Sequence, residues 1–364
     1  MTAVRTPLAQ RLGLALPLFQ APMAGLTTPA LVAAASATGA LGGFGCAYRQ
    51  PADIEADAAA VRAVTDRPFN LNFFVAPQPA SIPADAQAAA LAAVAHWYAE
   101  IGLPAPQPVP GPYAPDLDAQ LDAALRVAPA VVTFHLDVLP IERVRAFQQT
   151  GALVGGSATC IDEARALAAL GCDFVIAQGG EAGGHRGTWT RDPYSALTGT
   201  LALVRLLVRE TALPVVAAGG IMDGDGIAAV LALGAQAAQL GTAFIGCPES
   251  GASAPQRRAL LAAEGDPTAL SEKFTGKPAR GIVNRFMREA RERAIPQLAF
   301  PAQLALTSPL RAPTVQQGSP DFLSLWAGQA VALARALPAA DLVRTLDAEL
   351  HAALDRVAAL RTAA

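Results

Sequence analysis

Phe174-Val-Ile-Ala-Gln178 runs straight into Gly179-Gly-Glu-Ala-Gly-Gly-His-Arg-Gly187. Five residues without a charge, apolar on both faces, suit a strand buried on both sides of a sheet. The ten residues from Gln178 onward then supply an amide, five glycines and one histidine. A segment built only for packing has no use for that combination. At the carboxyl end of a barrel strand, however, ligands and chemistry are the rule.

Seven further runs resemble the first half of that segment: Leu16–Ala21, Ala40–Phe44, Phe69–Val75, Val131–Leu136, Ala152–Ser157, Pro214–Ala218 and Ala238–Phe244. Helix-period stretches alternate with them, among them Pro29–Thr38, Ile141–Gln149, Ile161–Leu170, Ser195–Thr211 and Gly224–Leu233. Near-continuous apolar strands separated by amphipathic helices define an α/β chain with a parallel sheet, and eight of them predict closure into a (β/α)₈ barrel. Two stretches interrupt the alternation. Residues 76–129 read as a helix near Ala86–Glu100 followed by an extended proline-rich loop, Pro104–Pro112. Residues 246–325 read as a helical cap with no further strand pair. The expected organisation is therefore a barrel over 1–245, a helical substrate cap over 246–325, and C-terminal helices over 326–364, roughly Asp321–Leu337 and Ala340–Leu360, that complete the outer ring.

Composition narrows the class. The 364 residues are 52% hydrophobic and 16% charged, with a formal net charge of -3, which fits a well-packed enzyme and offers no basic face for nucleic acid. Cys46, Cys160, Cys172 and Cys247 show no metal-ligand spacing, so no metal is expected. No run of membrane-spanning length lacks Gly, Pro or polar breaks, and the chain opens on no charged-then-apolar leader. The default expectation is a cytoplasmic protein, monomer or homodimer.

The last two strand ends carry their own signal. Ala217-Ala-Gly-Gly-Ile221 includes Gly219 and Gly220, and Gln239-Leu-Gly-Thr-Ala243 includes Leu240, Gly241 and Thr242. Glycines there let backbone N–H groups approach an anion, and the loops after strands seven and eight are the recurring phosphate site of this barrel. A nucleotide sugar, a phosphorylated substrate or a flavin mononucleotide would each fit. Asn70 and Gln178, amides that donate and accept, suit the pyrimidine edge of an isoalloxazine, and Pro22-Met23-Ala24-Gly25 offers an apolar shelf. His185, between glycines, is the candidate acid or base because imidazole titrates near neutrality. His135, ending strand four, is either a pocket wall or a satisfied core histidine.

Taken together, Gln20–Gly25, Asn70-Leu-Asn72, Gln178–Gly187, Ala217–Ile221, Gln239–Phe244 and Leu325-Trp-Ala-Gly-Gln329 resemble the class I nitronate monooxygenases, in family order over most of the chain. The resemblance implies a TIM barrel with non-covalent FMN that oxidises alkyl nitronates, such as propionate 3-nitronate, with O₂ to a carbonyl compound and nitrite, a detoxification. It implies that Asn70, Gln178, Gly183, Gly220 and the run Gln239, Leu240, Gly241, Thr242 bind FMN, with Met23 near the ring and His185 at the substrate. The chain departs from the family in its cap. Phe300 stands before Pro301 where the family has tyrosine, and Arg311 stands for a lysine; with Tyr113 these are expected to shape the substrate pocket. Two other functions compete. FMN-dependent enoyl-acyl-carrier-protein reductases carry a similar glycine–histidine run but need NAD(P)H, and a non-catalytic flavin module would need neither His185 nor a shaped cap.

Overall fold

A computed structural model describes residues 4–79 and 81–360. Eight parallel strands form one sheet: β1 (Leu18–Gln20), β2 (Gly42–Gly45), β3 (Phe69–Phe74), β4 (Val131–His135), β5 (Leu153–Ala158), β6 (Phe174–Gln178), β7 (Val215–Ala218) and β8 (Ala237–Leu240). Each strand from β2 to β8 pairs with the next in sequence, and β1 pairs with β8. The seam between β1 and β2 is closed by a parallel bridge from Phe19 to Leu41, with Gln20 N–H to the Leu41 carbonyl at 2.8 Å. The sheet is thus a barrel, as the eight runs predict.

Period-two alternation explains why these strands look apolar throughout. In β4, Val132 and Phe134 point outward into the layer under the helices, while Val131, Thr133 and His135 point into the barrel. In β6, Val175 and Ala177 face outward, and Phe174, Ile176 and Gln178 inward. The interior is filled in layers: Phe19, Val131, Leu153 and Phe174 pack at the bottom over Leu8 and Leu12. A polar layer lies above, and the strands' carboxyl ends open into a pocket. Leu8 belongs to a short N-terminal helix, Pro7–Arg11, whose Leu8 N–H is tied to Gln236 Oε1 at 2.9 Å, so it plugs the barrel floor.

Several boundaries differ from the sequence reading. The eighth strand stops at Leu240, and Thr242–Ile245 is already a helical turn. The stretch after the proline-rich loop is not all extended: Leu117–Val127 is a helix, capped by Asp116 Oδ1 accepting from Ala119 N–H at 2.8 Å, and it packs on Pro51–Arg62. Asp321–Leu337 is not a helix. Apart from a 3₁₀ turn at Val331–Leu333 it runs irregularly, and only Ala339–Ala359 returns to the outer ring, against Gly224–Ala232. Pro320, Gly328 and Pro338 break that stretch.

The cap also holds a strand pair that the sequence reading lacks. Thr268–Ser271 and Ala279–Ile282 are antiparallel, and Ala279–Arg280 pairs further with Gly184–His185. The pair is short and half polar, and its third strand lies far upstream in the chain, so no local pattern announces it. The cap's apolar core also reaches outside 246–325. Trp97 and Tyr98, from helix Ala84–Glu100, pack with Phe274, Phe286, Leu306 and Phe322. Their polar ends are satisfied as well, Trp97 Nε1 by Glu289 at 2.7 Å and Tyr98 Oη by the Leu306 carbonyl at 2.6 Å.

Candidate active site

The loop after β6 is held from below by its own buried groups. The Gln178 amide donates from Nε2 to the His185 carbonyl at 2.9 Å and accepts from Gly187 N–H at 2.8 Å. Arg186 is fully buried, and its guanidinium donates to the carbonyls of Gly179 and Ala196 at 2.7 and 2.9 Å and of Gln178 at 3.2 Å. Arg186 therefore folds the loop. Glu181 caps the next helix, accepting from Thr200 N–H and Oγ1 at 2.8 Å each. Beyond the loop, Glu163 is buried and accepts from Thr159, Thr188, Trp189 and Thr190. Burial raises its carboxyl pKa, but these hydrogen bonds outweigh that and hold it below the ordinary value.

His185 itself is boxed by aromatic rings. Phe300, Phe74 and Trp326 stand 5.5, 5.6 and 5.9 Å from its ring centre. Burial among them, with the charges of His135, Lys277 and Arg311 acting in the same direction, pushes its pKa down to about 3. His135 lies behind it. Its Nε2 is 3.1 Å from the His185 carbonyl, which only accepts, so that nitrogen carries the proton, and Nδ1 is 2.8 Å from Ser157 Oγ. Burial brings its pKa to about 4, against the contrary pull of that hydrogen bond. Both rings are neutral at pH 7. The His185 carbonyl thus receives two donors, one from His135 and one from Gln178, which fixes the backbone under the imidazole.

Elsewhere in the lining the backbone is bare. The N–H groups of Gly183, Gly220, Gly241 and Thr242 make no hydrogen bond to another described residue, and all four residues line the pocket. Gly220 takes φ +72° and Gly219 φ +113°, left-handed values that favour glycine. A Cβ on Gly183 would meet the Ala327 carbonyl carbon at 2.5 Å, so glycine there lets the return segment 325–329 close over the loop. That segment is anchored by Gly328 N–H to Thr242 Oγ1 and Gln329 N–H to the Glu181 carbonyl, both 2.9 Å. Gln239 Oε1 is buried and without a partner among the described residues, although its residue lines the pocket. The free N–H groups suit an anionic group, and the orphaned amide oxygen beside them suits a guest that also carries a donor.

Of the sequence candidates, Met23, Gln178, Gly183, Gly219, Gly220, Gln239, Gly241, Thr242, His135 and His185 line this pocket. Phe300 joins it through its contact with His185. Asn70 does not: it lies one strand repeat deeper, bonded to Thr133 Oγ1 at 2.9 Å, and Asn72 occupies the pocket wall instead. Leu240 points into the outer core and has only its backbone near the site, the carbonyl accepting from Ala21 N–H. Tyr113 packs in the cap cluster beside Leu298 and Leu306, away from the pocket, because cap packing rather than the barrel directs the proline-rich loop. Arg311 lies behind the lining, its Nη2 donating to Ser324 Oγ at 2.8 Å, and burial lowers its pKa. Tyr48, Phe74, Ser157 and Trp326 line the pocket without having been singled out for it. Phe74 is legible as the next inward position after Asn70 and Asn72, and Trp326 through its place in Leu325-Trp-Ala-Gly-Gln329; Tyr48 and Ser157 carry no such local signal. No group of three or more His, Cys, Asp or Glu that could hold a metal occurs among the described residues, and no helix there is long and apolar enough to cross a membrane.

A closed parallel barrel with its pocket at the carboxyl strand ends and anion-ready amides after β7 and β8 is a TIM barrel of the enzyme type. The family model for nitronate monooxygenase matches residues 5–349. The chain belongs to the nitronate monooxygenase family, whose members are flavin-dependent oxidoreductases. It is 44% identical to a nitronate monooxygenase of Pseudomonas aeruginosa, over 93% of this chain and 97% of that one. A nitronate monooxygenase of Paraburkholderia phytofirmans is 40% identical, over 95% of each. Among solved structures, a nitroalkane oxidase from Streptomyces ansochromogenes superposes with a TM-score of 0.88 at 41% identity, covering 96% and 99%. FabK from Thermotoga maritima superposes at 0.77 with 27% identity, covering 98% and 99%.

Proposed function

We propose that the protein holds FMN non-covalently and oxidises alkyl nitronates with O₂ to a carbonyl compound and nitrite, removing toxic nitro compounds. The observation that carries the reading is one pocket lined by two unlike sets of groups: unpaired backbone N–H groups after β7 and β8, and a buried, neutral His185 in an aromatic box. Gly220, Gly241 and Thr242 would hold the phosphate through their N–H groups, and the free Gln239 amide and the Met23 shelf would meet the rest of the cofactor. When bound, FMN supplies the electron acceptor and the means of passing electrons to O₂.

The protein's own contribution is position, charge and dryness. Phe74, Phe300 and Trp326 exclude water around His185. Lys277 and Arg311, whose pKa values burial lowers, leave the surroundings of His185 electropositive, which suits an anion and in particular one carrying a second, carboxylate charge. Propionate 3-nitronate has that chemistry and is the substrate we propose. An arriving nitronate also favours a proton on His185, whose new N–H would then donate to it.

The test is anaerobic mixing of the FMN-loaded protein with propionate 3-nitronate, followed at the flavin absorption band. Bleaching by the nitronate, and not by NADH, is expected. Reduction by NADH alone would favour the enoyl reductase reading, and a protein that rejects added FMN would overturn the pocket assignment.

A further inference from the structure

One face of the His185 imidazole is already committed, and the partner comes from the cap. Nε2 lies 3.0 Å from Thr275 Oγ1, which is itself 3.0 Å from the Lys277 carbonyl. A carbonyl only accepts, so the single hydroxyl proton of Thr275 goes to Lys277. The Thr275 oxygen must then accept from the imidazole, and Lys277 N–H approaches that oxygen too, at 3.4 Å. Thr275 is 1% exposed, so water does not compete for the bond.

We propose that Thr275 is a positioning residue which fixes His185 as the Nε2–H tautomer and leaves the Nδ1 lone pair free for the pocket. Nδ1 has no hydrogen-bond partner among the described residues, while His185 lines the pocket. The hairpin that carries Thr275 continues directly into Ala279–Arg280, the strand paired with Gly184–His185. Cap docking and the choice of tautomer are therefore one structural event. This rests on the reading of His185 as the group that meets substrate, here as the base toward a neutral nitroalkane. Burial pushes the imidazole pKa down to about 3, so it accepts the α-carbon proton only as the nitronate charge forms beside it and raises that value. The C–H bond breaks, the proton goes to Nδ1, and the electron pair moves onto the nitro group to give the nitronate. The new Nδ1–H then donates to that anion. A preformed nitronate skips this step.

The experiment uses ¹⁵N-histidine-labelled, FMN-loaded protein and two-bond ¹H–¹⁵N spectra, with His185→Asn to assign the resonances. The wild-type His185 is expected as Nε2–H with an unprotonated Nδ1 near pH 7.5. Thr275→Val should shift that pattern toward the other tautomer, and Thr275→Ser should retain it. In kinetics, Thr275→Val should lower kcat/KM for nitroethane by roughly 10-fold or more, within the scale of a positioned base. It should change kcat/KM for ethylnitronate by less than about 3-fold, with Thr275→Ser restoring the former. Nδ1–H in the wild type, or an unchanged tautomer in Thr275→Val, overturns the inference. If the tautomer pattern is as expected but neither nitro compound is turned over, the proposed function fails while the positioning role of Thr275 stands.

Discussion

Moving from pH 7.5 to 5.5 should destabilise this fold by about 3 kcal/mol through two buried histidines alone. His185 and His135 titrate near 3 and near 4 in the folded protein, both lowered chiefly by burial. An unfolded histidine titrates near 6.5. Between those values the unfolded chain binds protons that the folded one refuses, so stability falls as the pH drops below about 6.5 and is fully present above it. At pH 5.5 each ring contributes one full unit of difference, about 1.4 kcal/mol. The carboxylates matter little at that pH because they titrate lower when unfolded. Urea unfolding at a fixed, saturating FMN concentration measures the loss directly, and His185→Asn separates the two rings. The variant should lose only about 1.4 kcal/mol over the same interval, whatever its stability at pH 7.5. Equal losses in the two proteins would refute the claim that His185 is held neutral by the fold.

Two further outcomes test the architecture around the site. Glu163→Ala strands the buried N–H groups of Thr159 and Trp189 and should destabilise by at least about 3 kcal/mol, read from thermal or urea unfolding; a loss under about 1 kcal/mol would mean that water replaces the carboxylate. Gly183→Ala forces a Cβ to within 2.5 Å of the Ala327 carbonyl carbon and should cost about 1–3 kcal/mol, with weaker FMN retention in equilibrium dialysis because the return segment 325–329 is displaced. Unaltered stability and retention would show that the segment is free to move aside.

Much of the barrel was legible because its signal is local and repeated. A strand buried on both faces must be apolar at nearly every position, and β3, β4 and β6 each appear in the sequence as such a run, close to where the strand lies. The glycines after β7 were legible for a related reason: left-handed backbone at Gly219 and Gly220 restricts the residue type, so the sequence records the geometry. Asn70 shows the limit of that logic. The alternation says that Asn70, Asn72 and Phe74 face inward together, but the depth at which each sits follows from barrel stagger and the height of the pocket floor.

The sequence alone determined that eight strands alternate with helices, that anion-ready glycines follow the last two, and that one histidine stands in the loop after the sixth. Tertiary structure decided what that histidine is. Its aromatic walls come from β3, the cap and the return segment, its carbonyl is clamped by His135 and Gln178, and its proton is assigned by Thr275, ninety residues away in sequence. Burial and the choice of hydrogen-bond partner set a tautomer and a pKa, and both arise only when distant segments meet. No periodicity along the chain encodes such a meeting.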